Sequence, residues 1–172
     1  MNGTVSIRPL AAADLADYKR LRDELLARHP EAFTSDAESE AKKEPADYLH
    51  RLGLEDDDGG HFLLGAWRAK QLVGAIGCER EARQKVRHVG HVIGMMVRAD
   101  ARRAGIGALL VEACIAEARQ AGLEMLTLTV TAENASAIGL YERHGFVGYG
   151  TLRRALKVGG RYHDKLHMAL VL

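Results

Sequence analysis

A basic turn with two glycines separates an apolar run from a helical pattern in MMVRADARRAGIGALLVEA, residues 95–113. A chain that passes from strand to helix here exposes the first N–H groups of the helix, which have no intrahelical partner. Those donors and the helix dipole bind anions, and phosphate in particular. Gly105 and Gly107 leave the backbone open to a ligand, because neither carries a side chain. Positive charge suited to phosphate comes from Arg98, Arg102 and Arg103. The turn therefore predicts a phosphate or pyrophosphate site.

Two common nucleotide motifs do not fit this turn. The dinucleotide fingerprint needs a third glycine where Leu110 stands, and the P-loop needs a lysine where Ala108 stands. A structural interpretation stays open beside the ligand-binding one, because a glycine turn also lets a helix pack closely on a sheet.

The elements that must position this turn follow from hydrophobic periodicity, which predicts the order β-α-α-β-β-β-α-β-α-β-β. The expected strands cover residues 5–10, 61–67, 71–81, 87–97, 124–131, 146–158 and 161–172, and the expected helices cover 12–28, 46–52, 106–121 and 133–145. We expect the third helix to place Ile106, Leu109, Leu110, Ala113 and Ala116 on one side. The strand–helix–strand unit at its centre implies a parallel pair inside a mostly antiparallel sheet, so the fold class is α+β.

Composition narrows the class of protein. The chain has 172 residues, of which 47% are hydrophobic and 27% are charged, as expected of one globular domain. A formal net charge of +1 argues against a polyanion-binding protein. Cys78 and Cys114 match no metal spacing and imply no disulfide framework, which fits a reducing cytosol. The sequence suggests no signal peptide, and no apolar run reaches the ~20 residues of a membrane span.

Two motifs resemble the GNAT superfamily of N-acetyltransferases. RRAGIG (102–107) is similar to its R/Q-x-x-G-x-G/A signature, and NASAIGLYERHGF (134–146) is similar to its N-x-x-A-x-x-L-Y-x-x-x-G-F segment. Weaker similarity reaches both ends, so the resemblance covers nearly the whole chain. The sequence departs from the family at Ala99, where proline is frequent, and at Arg103, where glycine is frequent.

The resemblance implies one N-acetyltransferase domain over residues 1–172, with layered α/β/α architecture and two central parallel strands splayed to hold acetyl-CoA. Backbone N–H groups from Arg103 to Ala108 would hold the pyrophosphate, and the backbone of Met96 and Val97 would pair with pantetheine. Asn134 would bind the pantetheine arm or cap the next helix. The cofactor-binding residues implied are Met96, Val97, Arg102, Arg103, Ala104, Gly105, Ile106, Gly107, Ala108, Asn134 and Tyr141.

The same resemblance places the Tyr141 hydroxyl at the cofactor sulfur, as acid or hydrogen-bond donor to the leaving thiolate. The acceptor amine needs a base, because an amine of pKa ~10.4 is almost wholly protonated at neutral pH. The family's base position, six residues before Val97, is occupied here by His91. Glu79, Glu81 and water remain alternatives. If the strand is regular, His91, Ile93, Met95 and Val97 share a face, and a bulge would shift that facing by one residue.

The predicted function is transfer of an acetyl group from acetyl-CoA to a primary amine by direct attack. The alternative is an acyl-CoA-binding sensor without turnover. Three loops would build the acceptor site: residues 29–36, 55–60 and 161–165. The partners implied are acetyl-CoA and a small-molecule or peptide amine, with neither nucleic acid nor membrane, and a homodimer is plausible for the family. We expect the protein to be cytoplasmic.

Overall fold

Seven strands form one sheet in the computed structural model, which describes residues 4–56 and 58–172 apart from the side chain of Arg103. The strands are β1 (Val5–Pro9), β2 (Phe62–Arg68), β3 (Gln71–Arg80), β4 (Val89–Val97), β5 (Met125–Thr131), β6 (Val147–Val158) and β7 (Arg161–Val171). Their order across the sheet is β1-β2-β3-β4-β5-β7-β6. Every neighbouring pair is antiparallel except β4 and β5. The predicted mixed α+β class and its single parallel pair are confirmed.

In the described residues four α-helices accompany the sheet: α1 (Leu15–Arg28), α2 (Ala37–Ala41), α3 (Ile106–Gln120) and α4 (Ala135–Arg143). Helix α1 forms because apolar residues recur three or four positions apart, and Leu15, Tyr18 and Leu25 are all buried. None of the helices in the described ranges is long and apolar enough to cross a membrane.

Helices α3 and α4 cover one face of the sheet and enclose its larger apolar core. The buried side of α3 is centred on Leu110, Cys114 and Ala118, at the four-residue spacing of one helix face. The predicted side was wrong by about one residue, because Leu109 is 40% exposed and Ala116 is exposed.

The opposite face carries α1 and the segment 29–52. Between the predicted loop (29–36) and the predicted helix (46–52) lies a helix that was not predicted: α2 begins after Asp36, whose carboxylate accepts a hydrogen bond from the Ser39 N–H. Pro45–Leu52 is a 3₁₀ helix rather than an α-helix. Proline fits its first turn, and Gly53 ends it in the left-handed conformation at φ +66°.

Strand β5 shows why the sheet has two unlike faces. Leu126, Leu128 and Val130 alternate with threonines and point into the α3 core. Thr127 and Thr131 therefore point to the α1 face, where their hydroxyls make hydrogen-bonding contacts with groups outside β5.

The parallel strands separate after a short contact. Pairing covers only Val89–His91 against Met125–Thr127. Beyond that, β4 carries a bulge: Ala75 pairs with Met96 but Gly77 pairs with Ile93, so two steps on β3 match three on β4. Gly94 sits in the bulge at φ +57°. As a result His91 and Ile93 face α1, whereas Met95 and Val97 contact the α3 core, which is the shifted facing that a bulge predicts.

Candidate active site

A cavity of about 660 Å³ opens where β4 and β5 separate. Its wall contains both motifs that drew attention in the sequence. At one end, here called the glycine end, lie Arg102, Gly105, Gly107 and Ala108. At the other, here called the histidine end, lie His29, Glu31, Phe33, Glu133, Arg161 and His163.

The glycine end is built from backbone. A 3₁₀ helix over Ala99–Ala104 stops at Gly105, which has φ +72°, and α3 begins at Ile106. The first α-helical bond runs from the Leu109 N–H to the Gly105 carbonyl at 3.2 Å. The N–H groups of the preceding three residues, Ile106 to Ala108, therefore have no intrahelical partner. This end can bind an anion without any charged side chain.

The arginines contribute unequally to this end. Arg102 lines the cavity and donates from Nε to the Val97 carbonyl at 3.2 Å. Arg98 turns aside and donates to Asp100 at 3.3 Å. The Arg103 side chain lies outside the described atoms. Arg143, on the exposed last turn of α4, also lines the cavity and was not predicted.

The register of β4 decides which backbone groups face the gap. The Arg98 N–H donates to the Val73 carbonyl at 2.9 Å, so Arg98 is a hydrogen-bonded partner of β3. Because such partners alternate along an antiparallel pair, Met96 also pairs through its backbone, with Ala75. Val97 then directs its N–H and carbonyl toward the gap.

The second motif lies across the gap on α4. Asn134 accepts a hydrogen bond from the Ala137 N–H at 3.1 Å, so it caps the helix, as one of the two predicted roles requires. Tyr141 is buried edge-on against Phe146, with ring centres 5.7 Å apart, and lines the cavity. Burial raises the pKa of the Tyr141 hydroxyl, which therefore keeps its proton at neutral pH.

The histidine end is built from side chains of distant segments. The loop after α1 is held by two hydrogen bonds: Thr131 Oγ1 donates to the Glu31 carbonyl at 2.6 Å, and Lys165 Nζ donates to Thr34 Oγ1 at 2.7 Å. Burial lowers the pKa of Lys165. Of the three predicted acceptor loops, the first and the third meet here.

The described members of the second predicted acceptor loop, residues 55–60, do not line this cavity. They lie beyond β3, where Arg80 Nε donates to the Gly59 carbonyl at 2.8 Å. Asp57 lies outside the described residues. The expectation was wrong because a run of acids says nothing about which edge of the sheet it reaches.

His91 lies at the root of the splay and is not among the residues that line the cavity. Its Nδ1 is 2.6 Å from Thr127 Oγ1, and its Nε2 is 3.1 Å from Glu81 Oε1. The contact with His91 lowers the pKa of the Glu81 carboxyl, which makes Glu81 a weaker base. Glu79 faces His91 across the β3–β4 pair.

The fold and this two-ended cavity together place an open helix terminus, which suits an anionic ligand, beside a polar pocket. A sequence profile of the acetyltransferase (GNAT) family matches residues 18–146. The chain therefore belongs to the GNAT family.

Individual proteins agree with this membership. The chain is 37% identical, over 76 residues, to an L-methionine sulfoximine/L-methionine sulfone acetyltransferase of Pseudomonas paraeruginosa, a match covering 44% of each chain. It is 29% identical over 137 residues to a mycothiol acetyltransferase of Geodermatophilus obscurus, covering 79% of this chain and 42% of that one. The matched region thus spans less than half of either relative.

Solved structures share the fold over almost the whole chain. A GNAT acetyltransferase of Streptococcus pneumoniae superposes with a TM-score of 0.87 at 24% identity, covering 98% of this chain and 100% of that one. A ribosomal-protein-alanine N-acetyltransferase of Brucella melitensis gives 0.81 at 26% identity, covering 97% and 99%.

Proposed function

We propose that this protein is an acetyl-CoA-dependent N-acetyltransferase of a single domain, residues 1–172. The observation that carries the proposal is the free helix terminus at Gly105–Ala108 opening onto the same cavity as Tyr141. A structural neighbour from Salmonella typhimurium was solved with acetyl-CoA, at a TM-score of 0.81 and 22% identity. The similarities described are to acetyltransferases, so they give no support to a sensor without turnover.

The glycine end and the gap beside it hold different parts of acetyl-CoA in the proposed complex. The pyrophosphate lies against residues 103–108, with the unpartnered N–H groups of Ile106, Gly107 and Ala108 as the main donors. Arg102 adds charge, and Ala104 and Gly105 bring the chain around the phosphates. The pantetheine arm lies in the gap beside Met96 and Val97, where Val97 offers its backbone N–H and its carbonyl also accepts from Arg102 Nε. Asn134 keeps its amide N–H₂ for the arm while its oxygen caps α4.

The reaction proposed is direct attack of the amine on the thioester carbonyl. Tyr141 serves as hydrogen-bond donor to the sulfur as the thiolate leaves. Its raised pKa favours donation of a hydrogen bond over complete transfer of the proton. The sequence assigned the role of base to His91, and this assignment stays a hypothesis. The pH–rate profile of His91→Ala tests it. Both ring nitrogens of His91 already have partners.

The acceptor proposed is a compact primary amine. Carboxylates from two segments, Glu31 and Glu133, stand at the histidine end and attract a cation, while Arg161 stands beside them to hold an anionic group. Amino acids carry both charges, and the first relative named above acts, by its name, on methionine derivatives. A short amine that bears a carboxylate is therefore the first class to test.

The test is release of CoA thiol from acetyl-CoA over a panel of amines, alongside calorimetric binding of acetyl-CoA alone. Amino acids and their sulfoximine and sulfone derivatives form one arm, and peptides with free N-termini form the other. Binding of acetyl-CoA with no thiol release in any arm would favour the sensor interpretation instead.

We further propose a homodimer in the cytoplasm that binds neither nucleic acid nor membrane. Edge strand β6 exposes apolar side chains along its length, with Val147, Tyr149 and Leu152 each more than half exposed. Both cysteines are free and buried, which suits a reducing compartment. Sedimentation of the wild type against Tyr149→Glu tests the dimer.

A further inference from the structure

One histidine points into the cavity with a ring nitrogen unsatisfied. His163 on β7 is 9% exposed and lines the histidine end. Within the described part of the chain its Nδ1 has no hydrogen-bond partner. Glu133 Oε1, in the connection before α4, lies 3.4 Å from that nitrogen. A buried polar atom is costly to leave without a partner, and the neighbouring Glu133 carboxylate is the group placed to share a proton with this nitrogen.

We propose that His163 is the catalytic base that takes the proton of the acceptor amine, and that Glu133 is its positioning residue. This rests on the proposed acetyl transfer. A carboxylate beside Nδ1 favours the tautomer with its proton on Nδ1, which leaves the lone pair on Nε2. The same carboxylate stabilises the imidazolium once the proton has arrived.

The step balances without any further reagent. The ammonium acceptor first loses one proton to solvent, and the neutral amine nitrogen then forms a bond to the carbonyl carbon of the thioester while a second proton passes from that nitrogen to Nε2 of His163. The carbon–sulfur bond breaks, and its electron pair leaves on sulfur as a thiolate that accepts the hydrogen bond of Tyr141. Solvent then removes the proton from the imidazolium.

The charges around His163 suit this task. Glu31 and Glu133 approach from two segments and favour both an incoming ammonium and an imidazolium. Arg161 and Lys165, each two residues from His163 on the same face of β7, carry positive charge and act against these two carboxylates. Burial lowers the pKa of Lys165. His29 completes the titratable groups that line this end.

His91 differs from His163 in each respect that matters for a base. His91 is hydrogen-bonded at both nitrogens and lies outside the cavity lining, with 44% of its side chain exposed. His163 is buried, lines the cavity and has a carboxylate oxygen of Glu133 3.4 Å from its Nδ1, which is the side of the ring opposite the proposed base atom Nε2. The two histidines can therefore be compared directly by substitution.

The experiment uses the best amine from the panel and measures kcat/KM for that amine against pH. We expect His163→Ala to lose about 100-fold or more at neutral pH, the usual range for a general base. The rise of rate with pH that a proton-accepting base produces should disappear. Added imidazole should restore part of the rate, and acetyl-CoA affinity should change by less than about twofold. His167→Ala, on the same strand and outside the cavity lining, should behave as wild type.

Two further variants protect the test against misfolding. His163→Gln keeps a polar side chain of similar reach and should lose the same rate and the same ionisation. Glu133→Gln should lower kcat about tenfold with little change in KM for acetyl-CoA, whereas Glu133→Asp should recover part of the loss because it keeps the carboxylate.

The outcomes separate the two proposals. If the wild type turns over and folded His163 variants keep its rate and its pH–rate profile, this inference is overturned and the proposed function stands. Loss of the ionisation in His91→Ala, with His163→Ala normal, overturns it in favour of the base predicted from sequence. No turnover of any amine by the wild type overturns the proposed function, and this inference with it.

Discussion

The two faces of the sheet bury different kinds of side chain. Under α3 and α4 the core consists of apolar side chains, cysteines and one tyrosine. The buried charged or strongly polar residues in the described part of the chain belong to the α1 face and the loops beside it: Lys19, Arg22, Glu40, Thr131, His163 and Lys165. The α3 face presents a backbone terminus to a ligand, whereas the α1 face presents side chains.

Because of this difference, the side chains at the histidine end can vary more freely than the turn at the glycine end. A pyrophosphate bound by backbone N–H groups needs only the right turn, and glycines mark that turn in the sequence. An amine recognised by carboxylates and a histidine needs distant segments to meet, and those side chains can change without disturbing the apolar core. The contrast predicts that substitutions at the glycine end change cofactor affinity, while those at the histidine end change turnover and acceptor choice.

The largest effect is expected where the two ends meet, at Tyr141. Tyr141→Phe keeps the edge-on contact with Phe146 and removes only the hydroxyl. We expect kcat to fall by about 100-fold or more, with acetyl-CoA affinity nearly unchanged, because the lost interaction forms with the leaving thiolate. Thiol release and calorimetry measure the two quantities. Tyr149→Phe, at an exposed ring, is the control. Near-normal turnover in Tyr141→Phe would mean that Tyr141 only packs in the core.

A smaller effect is expected from Gly105→Val at the glycine end. Gly105 has φ +72° and open space around the place of a Cβ, so valine would strain the turn and occupy space beside the proposed pyrophosphate position. We expect acetyl-CoA affinity to fall more than tenfold, or by more than ~1.4 kcal/mol.

Gly122 provides a matched control for that substitution. It has the same φ of +72° and equally open surroundings, but it follows the other end of α3. Gly122→Val should cost similar stability and leave acetyl-CoA binding intact. Equal loss of binding in both variants would mean that strain in α3, not the phosphate contact, explains the result.

The sequence predicted the α3 face better than the α1 face for a physical reason. Helix stops, the Asn134 cap and the turn at Gly105 depend on residues close together in the chain, so local pattern suffices. The alternation of apolar residues with threonine also predicted a strand at residues 124–131, where β5 lies. By contrast, the bulge at Gly94 depends on how β4 must match β3, and nothing within β4 alone fixes its position.

The histidine end escaped prediction in its details. The stretches 29–36 and 161–165 were expected at the acceptor site, yet Glu133 and His163 did not stand out, because only the pairing of β5 with β7 brings them together. The turn at residues 55–60, which holds four consecutive acidic residues, was predicted at the acceptor site from its charge alone. A composition signal cannot say which end of a sheet a turn occupies, whereas a buried and unsatisfied nitrogen can be recognised only once the fold is known.

The smallest effect on chemistry, and a clear one on stability, is expected from the buried ion pair on the α1 face. Arg22 Nε donates to Glu40 Oε2 at 2.7 Å, and the Tyr48 hydroxyl donates to the same oxygen at 2.7 Å. Burial alone would raise the pKa of the Glu40 carboxyl, but hydrogen bonds from Lys43, Arg22 and Tyr48 outweigh it and lower that pKa to about 2.

A carboxyl whose pKa is lowered by folding stabilises the protein above its unfolded pKa and loses that contribution as pH falls toward the folded value. With an ordinary pKa of 4.5, the Glu40 contribution is about 3 kcal/mol near neutral pH and declines between 4.5 and about 2. Urea unfolding should therefore show Glu40→Gln well below wild type at neutral pH, with the gap narrowing in acid. Glu38→Gln, exposed on the same helix, should show little gap at any pH. A gap for Glu40→Gln that stays constant with pH would mean that shape, and not charge, holds α2 against α1. Acetyl-CoA affinity of the folded variant should stay normal, because the pair supports the α1 face and does not touch the glycine end.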